Sequence, residues 1–477
     1  MQGEEPGGTL QEEREGAAAD GTLRRPQLFV ALECDRPTAG SVRHDLAAID
    51  EVAIGRGAER GALRDGRRLR ITVPGKWMSS AHARLVREEA AWRLEDQKST
   101  NGSFVNGKRV STARVHDADV IELGHTIFLL RHAMPVPEGT PEDHESGAGS
   151  PLHPALRTLV PSYASRLEGL QRLAPSNLSL LLLGETGTGK EVLAKAVHER
   201  SARSGRFVAV NCGALPDSLV ESQLFGHVKG AFSGALRDEP GLVRASHGGT
   251  LFLDEVGDLR KESQAALLRV LQEREVLPVG GTKPASVDLR VVAATHRPLK
   301  DLVARGSFRA DLFARLAGFV NTLPPLRQRQ EDIGVIVATL LEAMGPNALR
   351  GFTPEVGRAF FLYSWPLNVR EIQQCLTSSA LLASGGVVER AHLPETMAAG
   401  AFGEARAAER PVRDVSGARL SDADAQIRSE LTSQLEAHRG NVAGAARAMG
   451  KAPMQVHRWM KRFGIEPNQY RKPTTAK

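Results

Sequence analysis

A glycine-rich segment followed by a lysine is the strongest chemical signal in this 477-residue sequence. Gly184 to Lys190 fits the pattern GxxxxGK, directly after four leucines and directly before a helical pattern. This strand, loop and helix context lets backbone N–H groups surround a phosphate, because glycine places no Cβ in the way. The segment predicts a phosphate-binding loop whose lysine reaches the β- and γ-phosphates. Glu191 stands where the general motif has the Ser or Thr that contacts magnesium.

A second set of candidate residues ends an apolar segment downstream of the loop. The run Gly-Gly-Thr-Leu-Phe-Leu ends in Asp254 and Glu255, like the acidic partner strand of a P-loop NTPase. Asp254 would hold Mg2+, and Glu255 would polarise the attacking water. A carboxylate pair after a strand is common, and only its combination with the glycine-rich loop makes it informative. A third apolar run ends in Thr295 and His296, which could sense the γ-phosphate.

The elements that must position these residues follow from hydrophobic periodicity. From about residue 153 to 395, apolar strands alternate with helical patterns, which predicts a parallel sheet with the nucleotide at the carboxyl ends of its strands. Between two of these strands, residues 221–235 combine a helical pattern with a Gly/Ala loop that carries Phe232. An aromatic side chain on so small a tip favours contact with another molecule, and a mobile surface loop is the alternative.

Composition limits the class of protein. Hydrophobic residues make up 41% and charged residues 25% of the chain, as in soluble globular proteins, and roughly 150 residues per domain predicts about three domains. Cys34, Cys212 and Cys375 are single and far apart, so we expect a reducing cytoplasm. No apolar run has transmembrane length, and no membrane partner is expected. The net charge of +6 permits nucleic-acid binding without specifying it.

The N-terminal third has a different pattern. Residues 1–26 are expected to form a disordered leader, not a signal peptide. Residues 27–133 show short apolar runs separated by tight turns, which predicts an all-β sandwich. Arg56 together with the hydroxyls of Ser79 and Ser80 could hold a phosphate, with ordinary turn chemistry as the default.

The motifs GR, SxxH and STNGxxVNG, in this order, resemble the forkhead-associated (FHA) domain over about residues 27–133. The resemblance implies that Arg56 and Ser79 contact phosphothreonine and that Asn101 holds the ligand backbone. It also implies that His82 and Asn106 brace loops.

One position departs from the FHA pattern. Ser80 stands where the family usually has a basic residue. Lys76 or an arginine of the long loop before Ser79 is the candidate replacement. Those arginines are Arg64, Arg67, Arg68 and Arg70.

Six further motifs identify the central region. GETGTGKE, LFGHVKGAFSGA, GGTLFLDE, FRADLFARL, LPPLRQRQEDI and WPLNVREI together resemble the AAA+ domain of sigma-54-dependent transcription activators (bacterial enhancer-binding proteins), over about residues 153–395. In this family a glutamate after the loop lysine is normal. The resemblance implies binding of ATP with Mg2+. The implied nucleotide contacts are Gly184, Glu185, Thr186, Gly187, Thr188, Gly189, Lys190, Glu191, Thr295, His296 and Arg370, the last in a lid from about residue 326.

The same resemblance assigns roles outside the loop. Asn211 matches the asparagine that restrains the Walker B glutamate. Arg309 and Arg315 match arginines offered to the nucleotide of a neighbouring subunit, so a ring, most simply a hexamer, is expected. The family loop GAFTGA contacts sigma-54, and here it is Gly230, Ala231, Phe232, Ser233, Gly234 and Ala235. Ser233, together with Leu367 for glycine and His296 for asparagine, departs from the family pattern.

The C-terminal region shows two short helical patterns around Gly450, which fit a helix-turn-helix and resemble the Fis-type DNA-binding module. We expect linkers at 134–152 and 396–420, the module at 421–466 and a tail at 467–477. Predicted base contacts are Gln455, His457 and Arg458, and predicted phosphate contacts are Lys461 and Arg462.

The sequence therefore predicts a multidomain protein with an all-β FHA sandwich, an α/β AAA+ ATPase with a helical lid, and an all-α helix-turn-helix. Its expected partners are sigma-54 RNA polymerase holoenzyme, enhancer DNA, a phosphothreonine protein or Ser/Thr kinase, and further copies of itself. One alternative is a phosphopeptide-controlled DNA-binding repressor or scaffold with weak or no sigma-54 contact. A AAA+ chaperone or protease motor is disfavoured by the Phe232 loop and the basic C-terminal helix.

Overall fold

The computed structural model describes residues 22–89, 91–147, 152–214, 219–397, 430–435, 438, 441–449, 451 and 456. The chain divides into two compact units, Met1–Gly403 and Glu404–Lys477. The first unit contains a β-sandwich, an α/β domain and a helical lid. No helix in the described ranges is long and apolar enough to cross a bilayer.

The N-terminal sandwich, residues 22–147, consists of two facing sheets. The predicted leader at 1–26 is wrong for residues 22–26, which pair with the end of a later strand as part of the first one. The strands of the sandwich are β1 (Thr22–Glu33), β2 (Ser41–Asp45), β3 (Glu51–Arg56), β4 (Gly61–Asp65), β5 (Arg68–Val73), β6 (Ala83–Glu88), β7 (Ala91–Asp96), β8 (Ser103–Val105), β9 (Lys108–Val110), β10 (Thr112–Val115), β11 (Val120–Leu123), β12 (Thr126–Pro137) and β13 (Asp143–Ser146). The sheet orders are β13-β2-β1-β12-β11-β8-β9 and β10-β7-β6-β3-β5-β4. Because side chains alternate along a strand, alternate residues in the central parts of β1 and β12 enter the core between the sheets. Leu28, Val30, Phe128 and Leu130 are examples.

The predicted linker at 134–152 is wrong for its first part, which belongs to the sandwich. β12 continues to Pro137 along β1, and β13 pairs with β2. The Asp143 carboxylate lies 2.7 Å from Arg64 and 2.6 Å from His44. Acidic residues within this Pro- and Gly-rich segment therefore form ion pairs that hold an edge strand in place.

The α/β domain, residues 152–323, carries the glycine-rich loop. Its elements are α1 (Pro161–Leu173), β14 (Leu180–Leu183), α2 (Lys190–Glu199), β15 (Phe207–Asn211), α3 (Val220–Phe225), α4 (Gly241–Ala245), β16 (Thr250–Asp254), α5 (Lys261–Glu273), β17 (Glu275–Val276), β18 (Ala285–Ser286), β19 (Arg290–Thr295), α6 (Leu299–Ala304), α7 (Ala310–Leu316) and β20 (Phe319–Thr322). Parallel strands form the sheet β15-β16-β19-β14-β20. Their carboxyl ends share one edge, which brings Lys190, Asp254 and Thr295 to the same side of the domain.

The lid, residues 326–397, packs helices around Trp365. It contains α8 (Ile333–Met344), β21 (Gly351–Phe352), α9 (Pro354–Leu362), α10 (Asn368–Leu382) and β22 (Val387–Val388), with 3₁₀ turns at Leu326–Gln328, Gln330–Asp332 and Arg390–His392. The Trp365 indole donates to the carbonyl of Phe360 at 2.7 Å. The lid core also includes Phe29 and Leu129 of the sandwich, so the two domains share one hydrophobic core.

In the second unit, the structure describes the helix α11 (Val442–Ala448) and helical residues 430–435. Asn441 caps α11, because its side-chain oxygen accepts from the Gly444 N–H at 3.3 Å. The second predicted linker from residue 398 onward, the predicted tail and most of the predicted recognition helix lie outside the described residues.

Candidate functional site

The glycine-rich loop joins β14 to α2 and folds around the lysine side chain. Gly187 and Gly189 have φ angles of 78° and 102°, which favour glycine. The Lys190 ammonium donates to the carbonyl oxygens of Gly184 at 2.9 Å and Glu185 at 3.2 Å. Its side chain is only 7% exposed, and burial lowers the pKa of Lys190. A shielded cation at a helix N-terminus is suited to bind phosphate oxygens.

Two carboxylates at the end of β16 face this lysine. Glu255 Oε1 lies 3.9 Å from Lys190 Nζ. Burial, together with the charge of Glu255, raises the pKa of Asp254. Within the described ranges, no group of three or more His, Cys, Asp or Glu side chains could hold a metal ion. Mg2+ typically uses one or two carboxylates and completes its shell with substrate phosphates and water, so Asp254 fits that ion.

His296 holds the Glu255 side chain, and Asn211 does not. Glu255 Oε2 accepts from the His296 ring at 2.7 Å and from the His296 backbone N–H at 3.2 Å. Thr295 Oγ1 lies 3.4 Å from the same oxygen. The restraint by Asn211 stays a prediction, since its side-chain oxygen here accepts from two N–H groups of the turn after β15, at 3.0 and 3.2 Å. Asparagine commonly closes such local turns. His296 therefore positions the Glu255 side chain. The sequence predicted a contact with the nucleotide for His296, and it did not predict this positioning role.

The lid contacts the loop from the other side. Asn368, fully buried at the start of α10, donates to the carbonyl of Thr186 at 3.0 Å and accepts from the Leu326 N–H at 2.8 Å. The Val369 N–H donates to the carbonyl of Gly187 at 3.0 Å. These bonds tie the nucleotide loop to the lid. Sequence reasoning missed Asn368, although it lies within the motif WPLNVREI.

Two predicted lid residues also lie beside the loop. A Cβ on Gly187 would lie 2.2 Å from the carbonyl oxygen of Leu367 and 3.1 Å from Cβ of Arg370. Arg370 is exposed. Burial is the main cause of the lowered pKa of Lys190, and the positive charge of Arg370 lowers it further, whereas the carboxylates of Glu255 and Asp254 act in the opposite direction. Leu367 has φ of −99°, so its backbone does not require the glycine usual in the family.

Two lid arginines that sequence reasoning did not assign complete this junction. Arg327 forms two hydrogen bonds with the Glu185 carboxylate, at 2.7 and 2.5 Å, and they lower the pKa of Glu185. Arg329 donates to the carbonyl of Thr188 at 3.1 Å. The Glu185 side chain thus joins loop and lid, while Glu191 forms an exposed ion pair with Lys195 at 2.7 Å.

The two arginines predicted to act on a neighbouring subunit lie at the two ends of α7. Arg309 precedes the helix and forms two hydrogen bonds with Asp311, at 3.0 and 2.7 Å. Arg315 is exposed in the last turn of the helix. An exposed ion pair such as Arg309–Asp311 contributes little stability, so it can open when another anion is offered.

The loop predicted to contact sigma-54 is a compact exposed tip. The Gly230 N–H donates to the carbonyl of Ala235 at 2.9 Å, which closes the loop. Phe232 is 38% exposed, and its ring lies 4.9 Å from the His227 ring. Leu236, which sequence reasoning missed, is 83% exposed beside it. The tip therefore presents two large apolar side chains to solvent.

The predicted phosphopeptide residues come together at one end of the sandwich. The Arg56 N–H donates to the carbonyl of Ser79 at 2.8 Å, and the Thr100 N–H donates to Ser79 Oγ at 3.1 Å. The Asn101 amide donates to the carbonyl of Trp77 at 2.8 Å. Three loops thus meet, with Arg56 and Ser80 exposed. Guanidinium, hydroxyl and amide groups on loops that meet in this way can bind a phosphate and a peptide backbone.

The side chains of His82 and Asn106 brace these loops, as predicted. His82 accepts from the Ser79 N–H at 3.1 Å and donates to the carbonyl of Gly102 at 3.2 Å. Burial lowers the pKa of His82, which favours the neutral ring that this bonding needs. Asn106 accepts from the Val120 N–H at 2.9 Å.

Most arginines proposed to replace the missing basic residue are already paired. Arg64 contacts Asp143, and Arg67 and Arg68 contact acidic residues at the start of β3 or just before it. Lys76 lies over the Trp77 ring, 5.0 Å from its centroid, within three residues of Ser79. Lys76 thus lies on the same loop as Ser79, between β5 and β6.

The predicted DNA contacts, Gln455, His457, Arg458, Lys461 and Arg462, lie outside the described residues.

Comparisons with known proteins match three segments. Residues 158–321 match the family model of the sigma-54 interaction domain, residues 52–124 the FHA domain and residues 327–410 the AAA+ ATPase lid domain.

Several curated proteins are similar over most of the chain. The acetoin catabolism regulatory protein of Cupriavidus necator is 38% identical over 77% of this chain and 58% of its own length. The transcriptional regulatory protein GlrR of Escherichia coli is 38% identical over 66% of this chain and 70% of its own. A Nif-specific regulatory protein of Azotobacter vinelandii is 40% identical over 62% of this chain and 56% of its own length. The chain thus spans between about half and 70% of the length of these relatives.

Proposed function

The chain belongs to the sigma-54 activator family and carries FHA and AAA+ lid domains, and on this basis we propose that it activates transcription by sigma-54 RNA polymerase in an ATP-dependent manner. It binds enhancer DNA through its C-terminal region, hydrolyses ATP to remodel the closed promoter complex, and recognises phosphothreonine through the FHA domain. The observation that carries the proposal is the meeting of Lys190, Glu255 and the lid residue Asn368 around one glycine-rich loop.

Each of these residues has a distinct part in hydrolysis. Lys190 would offset charge on the β- and γ-phosphates, and Glu255 would orient and deprotonate the attacking water. Asp254 would hold Mg2+, which neutralises phosphate charge when bound. Since the side chain of Glu255 is hydrogen-bonded to His296, movement of β19 relative to β16 would change the geometry of the base.

Hydrolysis in a ring explains the exposed arginines. Arg309 and Arg315 would approach the phosphates of the neighbouring subunit, where an added positive charge stabilises the transition state. Specific ATPase activity should therefore rise with protein concentration until assembly is complete. A specific activity that stays constant over the range in which the protein assembles would contradict the shared site.

The exposed tip is the proposed contact with sigma-54. Phe232 and Leu236 present apolar surface on a compact loop whose base is bonded to the segment at Val279, so a change in the α/β domain can move it as a unit. Ser233 is exposed and keeps the hydroxyl of the usual threonine.

Replacement of His296 should separate positioning from binding. His296→Ala is expected to lower kcat about 10- to 100-fold with little change in KM for ATP, because a misplaced base loses alignment while phosphate contacts remain. His296→Asn, the commoner family residue, should restore much of the rate, because an amide can donate to the same carboxylate oxygen. Steady-state kinetics of both variants and of Asn211→Ala measure this. A larger loss in Asn211→Ala than in His296→Ala would contradict the assignment.

Replacement of Arg56 should weaken phosphopeptide binding. A hydrogen bond with a charged partner contributes about 1.5–3 kcal/mol, so Arg56→Ala is expected to lower affinity for phosphothreonine peptides about 10- to 100-fold. Arg114→Ala is the matched control, because Arg114 is exposed on a different strand, β10. Fluorescence anisotropy with a degenerate phosphothreonine peptide library measures both. Equal binding by wild type and Arg56→Ala would remove Arg56 from the site.

A further inference from the structure

The outer face of one sandwich sheet is buried against the lid. Phe29 and Ala31 on β1 and Leu129 on β12 point away from the sandwich core and belong to the lid core, with at most 1% of their surface exposed. β1 and β12 are therefore apolar on both faces, unlike a sandwich strand with one solvated face. A sensor tethered by a flexible linker would not need this second apolar face.

The lid sequence accommodates the sandwich backbone at close range. Gly334 lies inside α8, and a Cβ there would be 1.8 Å from the carbonyl oxygen of Ala31. Gly357 lies inside α9, and a Cβ there would be 2.5 Å from the Cys34 sulfur. Glycine is unfavourable within helices, so its presence at both contacts indicates close packing between these two domains.

Polar contacts cross the same surface. Arg131 of β12 pairs with Glu331 of the lid, whose side chain is fully buried. Arg358 pairs with Glu122 of β11 at 2.6 Å. A buried carboxylate without its partner is strongly destabilising, so these pairs oppose separation of the domains.

The lid side of this interface leads to the nucleotide loop. Arg329, two residues before Glu331, donates to the carbonyl of Thr188, and Asn368 bonds the carbonyl of Thr186.

The sandwich side leads to the phosphopeptide residues. Gly107 ends the segment 99–107, which also contains Asn101. A Cβ on Gly107 would lie 3.0 Å from Arg358 Nε. The Phe352 N–H of the lid donates to the carbonyl of Cys34, and the Cys34 N–H donates to the carbonyl of His125, each at 2.8 Å. The centroids of the stacked His125 and Trp77 rings lie 4.4 Å apart. The carbonyl of Trp77 accepts a hydrogen bond from the Asn101 amide.

We propose that the FHA sandwich and the lid form one rigid body, so that any movement of the lid relative to the α/β domain carries the phosphopeptide-binding loops with it. A ligand that restrains the sandwich then restrains the lid, and through it Asn368 and Arg370 beside the nucleotide loop. The nucleotide dependence of this movement rests on the proposed function, whereas the rigid docking does not.

Distances between spin labels in the full-length protein test the proposal. The native cysteines are buried, so labels should react with introduced ones. Thr112→Cys on β10 with Gln373→Cys on α10 measures sandwich to lid, and Gln373→Cys with Arg269→Cys on α5 measures lid to α/β domain. Dilution with unlabelled protein removes signals between subunits. We expect one narrow sandwich-to-lid distance that is the same without nucleotide, with ADP and with a non-hydrolysable ATP analogue.

A broad sandwich-to-lid distribution, or one that shifts with nucleotide, would overturn the proposal. Gly334→Val should broaden this distribution, because its side chain would enter the space occupied by β1. Gly169→Val is the matched control, since Gly169 also lies within a helix, α1, and has open space around it. An unchanged narrow distance in Gly334→Val would contradict the close packing.

A separate titration with fluorescent ADP distinguishes the proposed function from the rigid docking of the sandwich and the lid. Absent nucleotide binding would count against the proposed function, while the sandwich-to-lid distance would still decide the docking.

Discussion

Lys190→Ala is expected to weaken ATP binding about 10- to 100-fold and to abolish measurable hydrolysis. The substitution removes a shielded ammonium that would contact the β- and γ-phosphates, and a charged hydrogen bond contributes about 1.5–3 kcal/mol. It also removes the ammonium that donates to the carbonyl oxygens of Gly184 and Glu185, so the loop loses a brace even before nucleotide binds. Titration with a fluorescent ATP analogue and steady-state hydrolysis measure the two effects.

Lys195→Ala is the control for this substitution. Lys195 lies on the same helix but forms an exposed ion pair with Glu191, which contributes little stability. The affinity of the Lys195→Ala variant for ATP should stay close to that of the wild type. If Lys190→Ala binds ATP as tightly as Lys195→Ala, the phosphate-loop assignment is wrong.

Glu255→Gln is expected to lower the rate of ATP hydrolysis about 100- to 10,000-fold while ATP binding is retained. An amide keeps the size of the carboxylate and can still contact His296, but it cannot accept a proton from water. The variant should therefore accumulate in the ATP-bound state. Single-turnover hydrolysis, compared with the affinity for ATP, separates the loss of chemistry from a loss of binding.

Glu262→Gln serves as the comparison, because Glu262 is an exposed glutamate at the start of α5. It should hydrolyse ATP at the wild-type rate. A modest loss of rate in Glu255→Gln, similar to that in Glu262→Gln, would mean that another group acts as the base.

Local sequence patterns were sufficient to predict the chemistry-bearing loops. Four consecutive leucines predict a buried parallel strand, and the structure places β14 between β19 and β20. Asn101 and Asn106 predict tight turns, and Gly102 and Gly107 after them have φ angles near 80°. These features depend on residues adjacent in sequence, so one sequence is enough to identify them.

Features that depend on distant residues were not predictable in the same way. The 134–152 segment has a linker composition, yet its acidic residues meet arginines that lie far back in the chain. The docking of sandwich and lid did leave a signal, because β1 and β12 have continuous apolar runs where alternation is expected. Which surface covers the second face, however, depends on the tertiary arrangement.

The hydrogen-bond partner of Glu255 also could not be predicted from the sequence motifs. The family pattern assigns Asn211 to restrain Glu255, but a histidine at position 296 offers a ring nitrogen within 2.7 Å of the carboxylate. Asn211 then bonds its own turn. Motifs identify which residues meet, and competition among neighbouring donors decides which of them bond.

Promoter opening tests the central claim most directly. Permanganate footprinting would follow single-stranded DNA at a promoter that carries an upstream site for this protein, with polymerase containing sigma-54. Open complexes should form only with wild-type protein and hydrolysable ATP. They should be absent with Glu255→Gln, with Phe232→Ala or with polymerase that contains a different sigma factor. ATP hydrolysis at full rate without any promoter opening would contradict the account and favour a phosphopeptide-controlled DNA-binding repressor or scaffold.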